Sequence, residues 1–433
     1  MLADTNRQKS ADIPSGAPGA GGPLTMLSQS AVIEGWSDEE TLAGLEARKG
    51  PPDVQRALFA NELRNSGGDL TQSLAALASL AHVPCPLAYV CMNIYYSRVC
   101  DPPSEATPEP KGRIDASASY AAVQKVLDSG IHAVLLCEVV FGGADLGDED
   151  GGKEAYSFDF FPKADFDASG RALDAFIDKN SSCRFVMAPG APSSMYRRAF
   201  GNVLILNENL IASSTGATII ETWAVPALLL PTPEDAEGRS AAFATLRTKG
   251  GAKVTLAGTH LTEKQLPGAS GLRQRQMLAA LVDAIDAKHG AGSCAIIAGD
   301  LNIPDVAAFP PSIGEFCMQS PFLHAAPEND PYELLRSRGF ESVQSAASSA
   351  GLMLRTCWNG VAVDYIGARH AAAPVAVAAL PPLSAGVILS DHAWPAAVYS
   401  MEEVLPADSG FESEPKSPNG KKQRARGPGC TLL

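Results

Sequence analysis

The apolar run "AIIA" (295–298) reads as a buried strand, yet it leads straight into Gly299, Asp300, Leu301 and Asn302. A carboxylate and a carboxamide at one strand end fit a plain exit turn as well as they fit a site. Glu138 raises the question more sharply, because it is the one charge inside "VLLCEVV" (134–140). A buried, unpaired carboxylate is strongly unfavourable, so Glu138 calls for a cation or a strong partner. Asn93, His260, Asp364 and the triplet Ser390, Asp391, His392 stand at the ends or starts of other apolar runs. Taken singly, a structural salt bridge explains Glu138, a satisfied strand histidine explains His260, and a loop explains Asp391 and His392. The set points to chemistry. Carboxylates and carboxamides without thiolates are hard oxygen ligands that suit Mg²⁺ or Mn²⁺ rather than zinc. A histidine beside an additional aspartate is a paired acid or an orienting unit. A cation on phosphoryl oxygens, a base for water and donors for developing charge are what hydrolysis of a phosphate ester needs.

The elements that must hold these residues alternate in type. Strands are expected at 87–94, 132–140, 201–207, 252–261, 361–368 and 393–401, besides the run that leads into Asp300. A helix carries Tyr120, Val123, Val126 and Leu127, and another carries Leu278, Leu281, Val282 and Ile285. Strands joined by both tight and long helical connections predict mixed sheets within one α/β domain. Residues 141–170 read as a loop insertion with eight acidic residues, two lysines and phenylalanines at 158, 160, 161 and 166.

Around this domain the composition changes. Residues 1–36 are rich in Gly, Pro, Ala and Ser and are expected to be disordered. Residues 37–82 form a small helical unit, in which Ser37 and Glu40 have capping-box spacing and Asp69 can cap a helix bearing Leu70, Leu74 and Leu77. A proline-marked linker follows at 82–86. The chain of 433 residues has a formal charge of −14, which argues against broad non-specific adhesion to nucleic acid but leaves room for a local basic site. Nine cysteines without a C-x-x-C pair suit a reducing compartment. There is no N-terminal secretory pattern, and the apolar stretches near 223–230 and 371–382 are too short and proline-broken to span a bilayer.

In chain order, "MNI", "CEVV", "GNVLIL", "THL", "GLRQRQ", "GDLN", "VDYIG" and "SDH" closely resemble the endonuclease/exonuclease/phosphatase superfamily, to which deoxyribonuclease I is related. The resemblance spans residues 87–401. It implies a four-layer α/β sandwich, two mixed β-sheets packed face to face with helices outside. It also implies roles. Glu138 would bind Mg²⁺ (Mn²⁺ as substitute), with Asn93 and Asp391 as further ligands or close supports. Asp300 would deprotonate the attacking water, and Asn302 and His260 would hold the phosphate. His392, oriented by Asp364, would donate to phosphate oxygens. Arg273 and Gln276 match a helix of the family, although a solvated helix face explains them equally well. Asn202 after Gly201 matches a Gly-Asn pair that fixes the local backbone.

The substrate stays open at this level. Ile303 and Pro304 replace the aromatic and arginine that follow the same motif in inositol 5-phosphatases. Asp364-Tyr365-Ile366 departs from the Asp-Arg-Ile of tyrosyl-DNA phosphodiesterases, whose ubiquitin-associated N-terminus "FANELRNSGGDLTQSLAAL" faintly resembles, implying a ubiquitin contact. A nuclease acting on nucleic-acid ends, a sphingomyelinase-like or inositol-phosphatase-like enzyme at membranes, and an inactive scaffold are the alternatives. Residues 402–433 form a polar tail ending in "CTLL", a C-a-a-X-like box whose terminal leucine favours geranylgeranyl transfer to Cys430. Lys416, Lys421, Lys422, Arg424 and Arg426 precede it, so prenyl group and basic stretch together predict attachment to anionic cytoplasmic leaflets. Nuclear import is the other use of such a stretch.

Overall fold

The computed structural model describes residues 25–26, 32–33, 59, 63, 69–78, 83–99, 113–141, 163–190, 200–229, 239–262, 271–309, 314–315, 325–349, 353–357, 361–371 and 374–402. Along the chain these form β1 (Thr25–Met26), β2 (Val32–Ile33), α1 (Leu70–Ala78), β3 (Pro86–Asn93), β4 (Arg98–Val99), β5 (Arg113–Ile114), α2 (Ala116–Asp128) and β6 (Ala133–Val140). They continue with α3 (Lys163–Lys179), β7 (Cys183–Pro189), β8 (Phe200–Asn207), β9 (Thr218–Val225), β10 (Ala241–Arg247), β11 (Lys253–His260), α4 (Leu272–His289) and β12 (Cys294–Asp300). The remainder is α5 (Pro331–Ser337), β13 (Glu341–Ser342), α6 (Val343–Ser349), β14 (Met353–Leu354), β15 (Asp364–Arg369), β16 (Ala376–Leu380), β17 (Leu383–Ser384), β18 (Val387–Ile388) and β19 (Trp394–Ser400). One mixed sheet runs β1-β16-β19-β3-β6-β8-β7 and the second runs β13-β15-β12-β11-β10-β9.

Strand periodicity explains how the sheets stack. In β3, Leu87, Tyr89 and Cys91 enter the core between the sheets, while Ala88, Val90 and Met92 pack with α1, α2 and α3 on the other side. In β12, Cys294, Ile296 and Ala298 face the first sheet, and Ala295 and Ile297 face α4 and α5. Both faces of each strand are covered, which is why these segments read as continuous apolar runs rather than alternating ones. The result is the expected four-layer sandwich with helices outside. Local signals start the helices. Asp69 Oδ1 accepts from the Thr71 N–H at 2.6 Å, Asp115 caps α2 through the Ala118 N–H at 3.0 Å, and Asp330 followed by Pro331 opens α5.

Several expectations are revised. Residues 163–170, assigned to a loop over 141–170, are the start of α3, a helix that buries Ser169, Leu173 and Phe176. The remaining insertion, 142–162, lies outside the described residues, as do most of 1–36 and 37–82 and the tail with Cys430. Within the N-terminal segment read as disordered, β1 pairs with β16 and β2 with β14. Asp364 is not on the penultimate strand, because the stretch at 371–382 supplies β16 to the first sheet. The linker at 82–86 is tied down: Pro86 opens β3, and Met401 N–H donates to Cys85 O at 3.0 Å. Among the described residues no helix is long and apolar enough to cross a membrane.

His132, just before β6, is buried and accepts the Ala88 N–H on Nδ1 at 3.0 Å, which leaves Nε2 to donate to Ser214 Oγ at 2.6 Å. Burial lowers its pKa from 6.5 to about 4. The folded ring therefore stays neutral where the unfolded ring takes up a proton, so stability is complete above pH 6.5 and is lost as pH falls toward 4. The loss attributable to this ring is on the order of 3 kcal/mol. Urea unfolding at a series of pH values is expected to give His132→Gln a shallower acid limb than wild type; equal limbs would show that another group is responsible.

Candidate active site

Three of the site residues share one row of the second sheet. His260 at the end of β11 is in register with Asp300 at the end of β12, and Asp300 with Asp364 at the start of β15. Each continues the inward-facing set of its strand: Val254 and Leu256 before His260, Ile296 and Ala298 before Asp300, Ile366 and Ala368 after Asp364. The core simply changes from apolar to ionisable at its open end. Gly299 is required here, since a β-carbon on it would lie 2.3 Å from Thr259 O. Opposite this row, Asn93 occupies the inward position after Cys91 in β3.

Glu138 reaches the site by a different device. By strict alternation it would share a face with Val134 and Leu136, which pack against the helices. The pairing of β6 with β8 slips between Leu136 and Val139, and Glu138 takes a left-handed backbone with φ of 58°. This β-bulge turns Glu138 inward and returns Val139 to the helix side. Gly201 lies beside the bulge, where a β-carbon would meet Ala188 O at 2.2 Å.

The contacts interlock. Asp300 accepts from Asn93 Nδ2 at 2.9 Å on Oδ2 and from the Asn302 N–H at 2.9 Å on Oδ1. His392 Nδ1 lies 2.8 Å from Asp364 Oδ2 and 3.8 Å from Asp300 Oδ2, and its Nε2 lies 3.9 Å from Asp391 Oδ1. His260 Nε2 lies 3.7 Å from both Glu138 Oε1 and Asp300 Oδ2 and 2.9 Å from Asn302 Nδ2. All eight predicted residues are thus gathered in one buried cluster. Asn93 orients Asp300 while its own Oδ1 accepts the Tyr95 N–H at 2.8 Å. Of the two supporting helix residues, Arg273 is buried and Gln276 is exposed. Asn202 is buried and donates to Ser240 O at 2.9 Å.

Electrostatics differentiate the groups. Burial, reinforced by Asp364, pushes Asp300 up to about 7. Burial likewise raises Glu138 well above the carboxylate range. Burial holds His260 well below its ordinary value, and Arg239 and His392 lower it further. Burial alone would lower His392 too, but Asp364, Cys357 and Asp300 together hold it well above the usual histidine range. The cluster therefore contains a neutral and a protonated imidazole side by side.

Sequence reading missed several supports. Arg239 Nη1 lies 3.0 Å from His260 Nδ1, and a guanidinium only donates, so Nδ1 accepts. Its signal was one cation immediately before the apolar strand "SAAFATL" (240–246). Thr356 Oγ1 accepts the N–H groups of Val363 and Asp364, each at 3.0 Å. Ser390 Oγ donates to Asn93 O at 2.8 Å and accepts the His392 N–H at 3.1 Å, joining the two ends of the domain. Cys357 Sγ lies 3.9 Å from His392 Nε2. Neither Thr356 nor Cys357 carries a pattern that a single sequence reveals, and Ser390 was noted only as part of the "SDH" triplet.

The residues fit a divalent cation. Glu138 Oε2 is buried without a hydrogen-bond partner, a situation that a hard cation resolves. Ligand atoms of Glu138, His260 and Asp300 lie within 4.8 Å of one another, as do those of Asp300, Asp364 and His392.

No family model matches this sequence, and no curated protein matches it. Solved structures do. The chain is similar to the human Nocturnin catalytic domain with bound sulfate anion, at 17% identity, covering 74% of this chain and 94% of that one, with a TM-score of 0.43. It is similar to an endonuclease/exonuclease/phosphatase from Bacteroides vulgatus, at 13% identity, covering 72% and 98%, with a TM-score of 0.41. It is also similar to truncated Caenorhabditis elegans TDP2, at 15% identity, covering 72% and 97%, with a TM-score of 0.41.

The Asp364 carboxylate is the main support of the charged state of His392. In Asp364→Asn the His392 pKa is expected to fall. A ¹⁵N-edited NMR titration of the imidazole checks this; an unchanged titration would remove Asp364 as the partner that sets the charge.

Proposed function

We propose that this chain is a divalent-metal-dependent hydrolase of phosphate esters, served by Mg²⁺ or Mn²⁺. The observation that carries the reading is the register row His260, Asp300, Asp364 closed by the bulge that turns Glu138 inward. Such a constellation of buried carboxylates is unfavourable for folding unless it binds something positive. Glu138, with Asp391 and the oxygen donors beside Asp300, would hold the cation, which supplies charge neutralisation at the phosphoryl oxygens. Asp300, oriented by Asn93 Nδ2 and the Asn302 N–H, accepts the proton of the attacking water. Asn302 and His260 steady the phosphate, and protonated His392 donates to its oxygens. An inactive scaffold is the weaker reading, since every position of the constellation is filled by a competent side chain. The two substrate classes left open are a nucleic-acid end and a phospholipid or inositol phosphate.

Assays of purified protein on a panel of phosphate esters, with and without EDTA, test the metal and the reaction together. Asp300→Asn is expected to lose about 10³-fold or more in rate while keeping its fold. Glu138→Gln is expected to recover partly at raised Mg²⁺ or Mn²⁺, whereas His392→Ala is not. An Asp300→Asn enzyme that retains a tenth of the activity would remove Asp300 as the base.

We also propose that Cys430 is prenylated and, with the basic stretch before it, places the enzyme at a cytoplasmic membrane surface. One lipid chain binds only marginally, and each basic residue near an anionic surface adds about 1 kcal/mol. Cys430→Ser is therefore expected to move the protein to the soluble fraction of a cell lysate. A wild-type C-terminal peptide without prenyl mass would end the proposal.

A further inference from the structure

Tyr365 follows Asp364 in β15, so strand alternation turns it to the opposite face of the second sheet. There its ring packs in the core with α4 and α5, tilted on Tyr332 with ring centroids 5.9 Å apart. The two hydroxyls fare differently. Tyr332 Oη donates to Ile303 O at 2.6 Å. Among the described residues nothing hydrogen-bonds the Tyr365 hydroxyl, although the residue is only 4% exposed. Gly367 leaves room for that hydroxyl, since a β-carbon there would collide with it. A hydroxyl so deeply placed and left unpaired is unfavourable, and it points to something that pairs with it.

Tyr365 lines a cavity of about 470 Å³ between α5, α6 and β15, within the size range of small-molecule sites. Tyr332 and Phe340 line it beside Tyr365, and Ser345 of α6 stands on another side. The walls are fixed in place. Arg336 Nη1 donates to Asp305 Oδ1 at 2.9 Å and Oδ2 at 3.1 Å, and Ser342 Oγ accepts the Ser345 N–H at 3.0 Å. Charge then decides the occupant. Arg336 is the one cation lining the cavity among the described residues, and three carboxylates already share it. Besides Asp305 they are Asp330 at 3.1 Å and Glu333 at 3.6 Å. Glu341 adds a further carboxylate to the lining. This balance repels an anion and lacks a second cation. An ammonium group supplies N–H donors to the Tyr365 hydroxyl and to carboxylate oxygens alike, and the aromatic lining suits an apolar ring attached to it.

We propose that this cavity is a binding site for a small organic cation, an amine whose ammonium group meets the Tyr365 hydroxyl and the carboxylates of Asp305 and Glu341 while its apolar part lies against Tyr332 and Phe340. The site is distinct from the catalytic one, because β15 separates them, with Asp364 on one face and Tyr365 on the other. Binding there requires neither metal nor turnover.

The test is isothermal titration calorimetry of the full chain in EDTA, with phenethylamine and with phenethyl alcohol as its uncharged counterpart. Salt at about 0.15 M screens general attraction of cations to a chain of net charge −14. Wild type is expected to bind the amine about tenfold more tightly than the alcohol. Tyr365→Phe removes only the hydroxyl and is expected to weaken the amine about fivefold. Glu341→Gln, at an exposed position, is expected to weaken it about threefold and to leave the alcohol unchanged. Ser345→Trp fills the cavity from α6 and is expected to abolish binding of both probes while the circular dichroism spectrum stays that of wild type. No binding of the amine by wild type, or equal affinity for the two probes, would overturn the proposal. Wild-type affinity in a folded Ser345→Trp would overturn it too. Should that variant fail to fold, Tyr365→Phe and Glu341→Gln decide, and wild-type amine affinity in both would overturn it.

Discussion

Mutual repulsion among buried carboxylates is the constraint around which the open end of this molecule is arranged. Glu138, Asp300, Asp364 and Asp391 approach one another across a gap closed by two imidazoles. Asp300 and Asp364 are paired directly in register, at 1% and 6% exposure. Each unfavourable charge has a specific answer. Asp364 is matched by protonated His392, Asp300 receives two donors from Asn93 and Asn302, and Arg239 stands behind His260. Glu138 Oε2 and Asp364 Oδ1 are buried in the cluster without a hydrogen-bond partner among the described residues. The same low-dielectric setting that makes these groups unfavourable also makes them strong once a substrate charge enters.

Two sheets must hold their spacing for that arrangement to last. Cross-sheet hydrogen bonds lie directly beneath and beside the cluster. Tyr89 Oη donates to Ala257 O at 3.2 Å, Cys137 Sγ to Thr259 O at 3.6 Å, and Asn202 Nδ2 to Ser240 O at 2.9 Å. Within the second sheet, Thr259 Oγ1 also donates to Ser240 O at 2.9 Å. Buried and fully packed between apolar side chains, such bonds fix the register of one sheet on the other. Asn93, His260, Asp300 and Asp364 sit at strand ends, and Asn302, Asp391 and His392 lie within three residues of a strand, which keeps reacting groups within the small tolerance that catalysis allows.

Departures from regular structure concentrate where the chemistry is. Glu138, Tyr95, Tyr96 and Asn302 are among the few described non-glycine residues with positive φ, and all of them belong to the cluster or border it. Regular strands could deliver Asn93, His260, Asp300 and Asp364 by alternation alone. They could not deliver Glu138, whose position in β6 has the wrong parity. A bulge solves this geometric problem, at some expense of backbone strain.

The sequence by itself determined seven strands, the helices bearing Leu70–Leu77, Tyr120–Leu127 and Leu278–Ile285, and the identity of the eight clustered residues. It could do so because an isolated polar residue in an apolar run is unfavourable without a partner, and that is visible without coordinates. Burial on both faces also left long apolar runs, from which seven strands were readable. Weakly patterned elements were not: β7 is half-exposed, α3 begins inside an acidic stretch, and β1 and β2 are two residues each. Only tertiary structure decided the register row, the bulge at Glu138, and the placement of Arg239 against His260 and of Cys357 against His392. These depend on which strands are neighbours, and neighbours here lie up to hundreds of residues apart, as Ser390 and Asn93 do. Local sequence carries propensity and polarity, but contact between distant strands is settled by packing the two apolar faces together.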